Sequence, residues 1–304
     1  MLIAIDHGNS LIKTPVADFV SGVMEHSVKP PVTDEVLTFQ GRYWTKSGKR
    51  LSYMRDKTRD EKFFILTLFA IAMEMERKGK YAPLEHIQLA VGLPPEHYGI
   101  LRDKFAEYFK NRGLLEFHLG ERFYRIQIND VFVFPQAYAA VVPRSATIVK
   151  SVMVFIIDIG GYTTDVLLLR NGKPDMQFCR SLETGIITMN NEIIRRVSAL
   201  HDMRIEDEHI RAVLMNEAVI LPEEIKETIR MQAREHTQDI LNQLRELQID
   251  LRANPSVFLG GGGVALKQYI EESPLVNQTD FIEDGHANAI GYELLAQAMV
   301  TKKK

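Results

Sequence analysis

The chain has 304 residues, 45% hydrophobic and 25% charged, the proportions of an ordinary globular protein of one large or two modest domains. Its formal net charge of -3 excludes a global basic footprint for direct nucleic-acid binding, and its single cysteine, Cys179, excludes an intrachain disulfide and a cysteine-based zinc cluster. Met1 leads directly into "LIAID" without a leader pattern, and the apolar region Phe63 to Met75 falls short of the roughly 20 residues of a membrane span, so a cytoplasmic, membrane-free protein is expected.

Leu2 to Ile5 reads as a short strand ended by Asp6 and Gly8. Val36 to Phe39 and Arg42 to Thr45 flank Gln40-Gly41, the pattern of a β-hairpin. Thr58 to Lys78 is predicted helical with apolar residues nearly all round, which places it deep in a core. Ile87 to Val91 is a strand that stops sharply at "GLPPEHYG". A helix over Arg102 to Asn111 and two or three strands between Leu114 and Phe134 follow. Pro135 ends that run, and "QAYAAVV" is predicted to start a helix behind it, where a first-turn proline loses no needed hydrogen bond. The polar stretch Pro143 to Lys150 is read as a domain boundary.

The second half opens on "FIIDIGGYTTDVLLL", residues 155 to 169, an apolar stretch interrupted by polar residues and glycines. Strands at Val166 to Leu169 and Met176 to Arg180 are joined by "RNGKPD", and Thr188 to Ala199 reads as a helix. Pro222 to Asp250 is the clearest helix: Pro222 at its first turn, Glu223 and Glu224 complementing the dipole, and Ile225, Ile229, Ala233, Ile240, Leu244 and Leu247 as an apolar stripe. The strand Ser256 to Leu259 comes next, then "GGGG", a short helix from Val264 and a closing helix from His286 to about Val300. The end Lys302-Lys303-Lys304 reads as a solvated terminus.

"IAIDHGNSLIK" and "FIIDIGGYTTD" are two versions of one unit, about 150 residues apart. Each is a strand, Asp-x-Gly, a small polar turn and a second strand, which points to a duplicated α/β domain rather than a solenoid. A glycine-tipped hairpin exposes backbone N–H groups that can wrap a phosphate oxygen, and an aspartate at the strand end can hold hydrated magnesium. Asp6 and Asp158 are the metal candidates, Asn9, Ser10, Thr163 and Thr164 offer hydrogen bonds, and Lys13 can neutralise phosphate charge. Either block alone reads first as a strand-ending turn; in matched contexts the two are far more specific. "FLGGGGVAL", Phe258 to Leu266, is strand, glycines, helix. It lacks the GxGxxG fingerprint, and no strand-helix-strand unit of the expected form is predicted after it.

These stretches, with "PQA" at 135 to 137 and "HANAIGY" at 286 to 292, resemble the nucleotide-site elements of the actin, heat-shock chaperone and sugar kinase superfamily. The likeness runs over the whole chain and is greatest to the bacterial actin-like group of ParM-like plasmid-segregation ATPases. It implies an α/β actin-like ATPase fold, two duplicated RNase H-like domains around a nucleotide cleft. The implied layout is domain I at 1–145, carrying a small subdomain at about 20–85 and the returning helix 286–304, and domain II at 146–285. It further implies ATP (or GTP) with Mg²⁺ held through water by Asp6 and Asp158. The first phosphate loop is Gly8, Asn9, Ser10 and Lys13, and the second is Gly160, Gly161, Tyr162, Thr163, Thr164 and Asp165. Gly185 approaches the nucleotide, Gly260, Gly261 and Gly262 bound the adenosine, and Gln136 orients the attacking water. Relatives often carry glutamate at that last position, so slow hydrolysis limited by orientation is expected.

The implied partners are other copies of the chain in a filament and a DNA-binding adaptor, with no direct contact to nucleic acid. The competing readings are a sugar- or acetate-kinase-type phosphotransferase and a non-polymerising nucleotide-binding regulator. Gln232 and Glu235 are candidates for base or ribose, against a charged exposed helix face. His7 and His286 lack paired ligand spacing and read as surface or turn histidines, Tyr162 as a turn cap in preference to a phosphate contact, and Trp44 as packing on the small hairpin, with a subunit contact as the alternative.

Overall fold

The computed structural model describes residues 1–31, 35–79, 82–144 and 151–302. They divide into two compact units, Met1–Pro143 with His286–Lys304, and Arg144–Gly285. Most of the polar stretch read as a boundary (145–150) and the last two lysines lie outside the described residues.

Among the described residues the first unit is built on nine strands: β1 (Leu2–His7), β2 (Leu11–Lys13), β3 (Asp18–Val20), β4 (Val23–His26), β5 (Leu37–Phe39), β6 (Arg42–Lys46), β7 (Glu85–Leu93), β8 (Leu114–Leu119) and β9 (Arg122–Pro135). Their order across the sheet is β3-β2-β1-β7-β9-β8-β5-β6-β4. Strand β1 pairs antiparallel with β2 and parallel with β7, which pairs parallel with β9. Alternation along the pleat sorts the two faces. Ile3, Ile5, Leu89 and Val91 face helix α1 (Glu61–Lys78), while Ala4 and Ala90 join the cluster around the closing helix.

Every residue of α1 from Phe63 to Ala72 is buried, as its all-round apolar pattern requires. The sheet, helix α2 (Pro95–Lys110) and the β5–β6 hairpin with Trp44 enclose it. The helix starts at Glu61 rather than near Thr58, because Asp60 caps it by accepting the Lys62 N–H at 2.9 Å.

Among its described residues the second unit has five strands, β10 (Met153–Ile159), β11 (Thr164–Arg170), β12 (Lys173–Leu182), β13 (Ser256–Leu259) and β14 (Thr279–Phe281), in the order β12-β11-β10-β13-β14. Helices α4 (Ile186–His201), α5 (Asp207–Leu214) and α6 (Glu223–Glu246) pack on it through Met189, Ile193, Val197, Ile225, Ile229, Ala233, Ile240 and Leu244. Strand β10 pairs antiparallel with β11, β11 antiparallel with β12, and β10 and β13 pair in parallel, as do β13 and β14. In β3-β2-β1-β7-β9 the first unit has the same arrangement: three antiparallel strands in chain order, then two added in parallel. The α/β fold of two duplicated RNase H-like domains is therefore the observed one.

Several local expectations need correction. Pro95 opens α2 at its first helical position, so the helix begins well before Arg102, directly at the prolines that stop the strand. Pro135 is the last residue of β9, and helix α3 (Tyr138–Val141) begins only after a left-handed residue at Ala137. The glycines are themselves helical: α7 (Gly260–Ala265) starts four residues before Val264. With α8 (Lys267–Glu271) it links the parallel strands β13 and β14, so the glycine run lies inside a strand-helix-strand unit. Pro222 is the residue before α6, not within its first turn. The short elements β3, α5 and β14 had no sequence signal strong enough to stand out. The last helix is α9 (Ala287–Lys302).

Candidate functional site

In the first hairpin, Asp6 faces Lys13 and His7 faces Ile12 across β1 and β2. Opposed residues of an antiparallel pair share a face, so Asp6 and Lys13 project to the same side of the hairpin. Gly8 is required by space: a Cβ there would lie 2.5 Å from the Leu11 carbonyl oxygen. At the tip, Asn9 Oδ1 is buried without a hydrogen-bond partner, an acceptor placed where a hydrated ligand could satisfy it.

His7 departs from its expected surface or turn setting. It is 1% exposed and packs on Phe105 and Phe109 at ring distances of 5.9 and 5.3 Å. The Thr67 hydroxyl donates to the Phe63 carbonyl, so it must accept from His7 Nε2–H, 2.7 Å away. Burial, and then the charge of Lys57, push the imidazole pKa down to about 3. Lys57 also donates to the His7 carbonyl. His7 is thus a neutral anchor that ties the hairpin to α1. His286 donates Nδ1–H to the Thr14 carbonyl at 2.8 Å, in keeping with a turn histidine.

Gln136 sits one residue past β9, its N–H bonded to the Leu93 carbonyl at 2.8 Å. Its Nε2 donates to Asp6 Oδ1 at 2.9 Å, so two residues 130 positions apart meet. Asp6 is 7% exposed.

In the second hairpin Asp158 faces Asp165 and Ile159 faces Thr164, the same seven-residue offset that joins Asp6 to Lys13. The tip closes through Gly160 N–H to the Thr163 carbonyl at 2.8 Å. The carbonyls of Gly160, Gly161 and Tyr162 accept from the N–H groups of Ile186, Ile187 and Gly185 at 3.0, 2.8 and 3.0 Å, which docks the turn on the start of α4. In a trans peptide the N–H points opposite its carbonyl, so this docking turns the amides of Gly161, Tyr162 and Thr163 away from the helix. Three successive amides turned the same way are suited to an anion. Gly185 permits the docking, because a Cβ there would stand 2.4 Å from the Gly161 oxygen and the Tyr162 carbonyl carbon.

Thr163 donates its hydroxyl to Asp165 Oδ2 at 3.2 Å. Thr164 is fully buried, and its hydroxyl donates to the Thr184 carbonyl at 3.1 Å and accepts from Thr184 Oγ1 at 3.0 Å, which ties β11 to the segment just before α4.

The glycine run divides by role. Gly260 has φ +83° and would place a Cβ 2.4 Å from Asp158 Oδ1; one on Gly262 would stand 2.3 Å from Ile159 Cγ2. Both pack the helix start against the end of β10. A Cβ on Gly261 meets nothing within 4 Å, so of these three glycines it is the one facing open space. On α6, Gln232 is buried and donates to Glu235 Oε2, while Glu235 is exposed with Arg196 at 3.7 Å. The exposed-face expectation therefore fails for Gln232. Beside them His236 meets the Thr184 carbonyl at 3.1 Å, and burial lowers its pKa. Neither Lys57, Thr184 nor His236 stood out in the sequence, since each acts through a residue 20 to 52 positions away.

The donor chemistry fits magnesium. Among the described residues no three His, Cys, Asp or Glu side chains converge as a dedicated cage. Mg²⁺ instead takes one or two carboxylates with phosphate oxygens and water. Asp6 and Asp158 each stand at the inner strand of a hairpin, and Asp165 faces Asp158 across the second one.

Comparison with known proteins gives a consistent result. Residues 4–138 match the family of actin-like proteins, N-terminal domain, and residues 156–272 match the archaeal actin homologue MreB-like C-terminal family. The chain is similar to the archaeal actin homologue Ta0583 (TM-score 0.78, 18% identity, 98% of this chain and 99% of that one), which is also solved in complex with ADP. It is similar as well to the subunit of a 15-stranded ParM filament from Clostridium botulinum (TM-score 0.75, 16% identity, 98% and 99%) and to the actin-like protein Alp7A (TM-score 0.75, 18% identity, 100% and 98%). No curated protein sequence matches. Among the described residues no helix is long and apolar enough to cross a membrane.

Proposed function

The chain belongs to the actin-like proteins, and from that premise we propose that it is a cytoplasmic ATPase that binds Mg-ATP (or Mg-GTP) with both Asp-Gly hairpins and polymerises into dynamic filaments. The observation that carries the reading is the Gln136–Asp6 hydrogen bond. Because Nε2 donates to the carboxylate, Oε1 is the end of the amide that can accept a water hydrogen and hold the water oxygen toward the terminal phosphorus. A glutamine cannot take the proton, so the contribution is orientation and turnover is slow.

In this reading the amides of Gly161, Tyr162 and Thr163, and the first hairpin with Gly8, Asn9, Ser10 and Lys13, each receive phosphate oxygens. Magnesium, held by Asp6 and Asp158 through water, would neutralise phosphate charge. Gly261 lies where the adenosine packs, with Gln232 and Glu235 as the polar groups for base or ribose.

The ADP-bound archaeal relative supports the nucleotide, and the ParM filament supports self-association. The task we propose is segregation of plasmid DNA through a DNA-binding adaptor, since a net charge of -3 gives the chain no general basic surface of its own.

High-speed sedimentation with phosphate release tests the reading. With ATP and Mg²⁺ the protein is expected to pellet, and the turbidity to decay as phosphate appears. A protein that stays in the supernatant at high concentration with ATP and with a non-hydrolysable analogue would sink the filament claim. Gln136→Ala should still pellet but release phosphate roughly 10- to 100-fold more slowly, and so give longer-lived filaments. Unchanged release removes Gln136 from catalysis.

A further inference from the structure

We propose that Asn288 is the positioning residue of the hydrolytic site: its side-chain oxygen holds a strained turn that aims Gln136 at Asp6. The inference rests on the reading of Gln136 as the water-orienting group.

Gln136, Ala137 and Tyr138 form a γ-turn, closed by the Tyr138 N–H on the Gln136 carbonyl at 2.6 Å. Ala137, at its centre, has φ 61° and ψ -51°, a conformation that residues with a Cβ rarely adopt and that persists only where surroundings over-determine it. Ala137 is fully buried, so its N–H must find an acceptor inside the protein. That acceptor is Asn288 Oδ1 at 3.0 Å, from the second residue of α9 and 151 positions along the chain.

The neighbours of Asn288 set its reach. A Cβ on Gly291 would stand 1.9 Å from the Ala139 carbonyl oxygen, so α9 lies directly against the backbone just past the turn. Tyr292 is fully buried over Gly92, where a Cβ would clash with its hydroxyl at 2.0 Å. Gly92 in turn precedes Leu93, whose carbonyl holds the Gln136 N–H. The backbone of Gln136 is thereby fixed from both ends of the turn. Without the Asn288 oxygen, Ala137 can relax to negative φ, which rotates the peptide after Gln136 and swings its side chain off Asp6. Misplacement by about 1 Å can cost on the order of 100-fold in rate.

Asn288→Leu removes the acceptor at similar volume, and Asn288→Asp keeps an oxygen in place. Steady-state phosphate release is expected to show kcat lowered roughly 10- to 100-fold in N288L with KM for ATP within about threefold, and kcat near wild type in N288D. Should the buried carboxylate of N288D prevent folding, Ala137→Gly in the N288L background takes its place. Glycine adopts the turn without strain, and a partial recovery of kcat is expected.

A second readout does not depend on hydrolysis: the side-chain amide resonances of Gln136, assigned by their loss in Gln136→Ala. They should move in N288L and stay in N288D. Wild-type kcat with unmoved resonances in N288L overturns the proposal, as does an equal rise of KM and fall of melting temperature in both variants. If the wild type releases no phosphate, the reading of Gln136 fails, and the resonances alone then decide whether Asn288 positions it.

Discussion

His7 follows Asp6 directly and touches no candidate ligand, yet it sets where the first hairpin sits. Its folded pKa of about 3 lies below the ordinary value of 6.5, so between those values the unfolded chain binds a proton that the folded chain does not. The stability it contributes is complete above about pH 6.5 and is lost as the pH falls toward 3. From pH 7 to pH 5 the loss assigned to His7 is about 2 kcal/mol. Urea unfolding of the wild type and of His7→Gln, which keeps a donor for Thr67, measures it as the difference between the two pH slopes. Equal slopes would show that His7 is not buried neutral. The sequence placed His7 in a turn because its own neighbours are a strand end and a glycine. The burial comes from Thr67, Phe105 and Phe109, which no local pattern connects to it.

The element that matters most is the docked turn of the second hairpin. Its strand–Asp–Gly–Gly–strand pattern was legible because hairpins are encoded locally, by β-branched and apolar runs on either side of residues that tolerate a tight turn. What the turn binds with was not legible, because its three carbonyls find α4 only in the folded chain. Gly185→Ala tests this. A methyl there meets backbone atoms of Gly161 and Tyr162 at 2.4 to 2.5 Å, so the turn must move off the helix. A loss of about 1 to 3 kcal/mol in urea unfolding is expected, together with at least tenfold weaker nucleotide binding. Wild-type values for both would dismiss the docking. The glycine run shows the opposite failure. Glycine's poor helix propensity placed the helix start at Val264, while packing against Asp158 and Ile159 makes Gly260 and Gly262 the first helical turn.

At the scale of the molecule, two units with separate cores each carry one hairpin, and both hairpins place an acid against its neighbour with the same seven-residue offset. If one nucleotide engages both, it stabilises the whole chain by mass action. At about 100 times Kd the gain is roughly 2.7 kcal/mol, worth several degrees in the melting temperature. Asp6→Asn and Asp158→Asn should each reduce that shift in a thermal melt with Mg-ATP, although they lie in different units. A shift that survives one of them unchanged would assign the nucleotide to the other unit alone. The sequence by itself determined the duplicated α/β plan and the two hairpins, because strand, turn and glycine signals act over a few residues and recur about 150 positions apart. Only the tertiary structure decided that Gln136 reaches Asp6, that Asn288 holds Ala137 and that His7 and Thr164 are interior. Those contacts span from 20 to 151 positions, and they depend on how helices and strands pack, which periodicity within one segment does not encode.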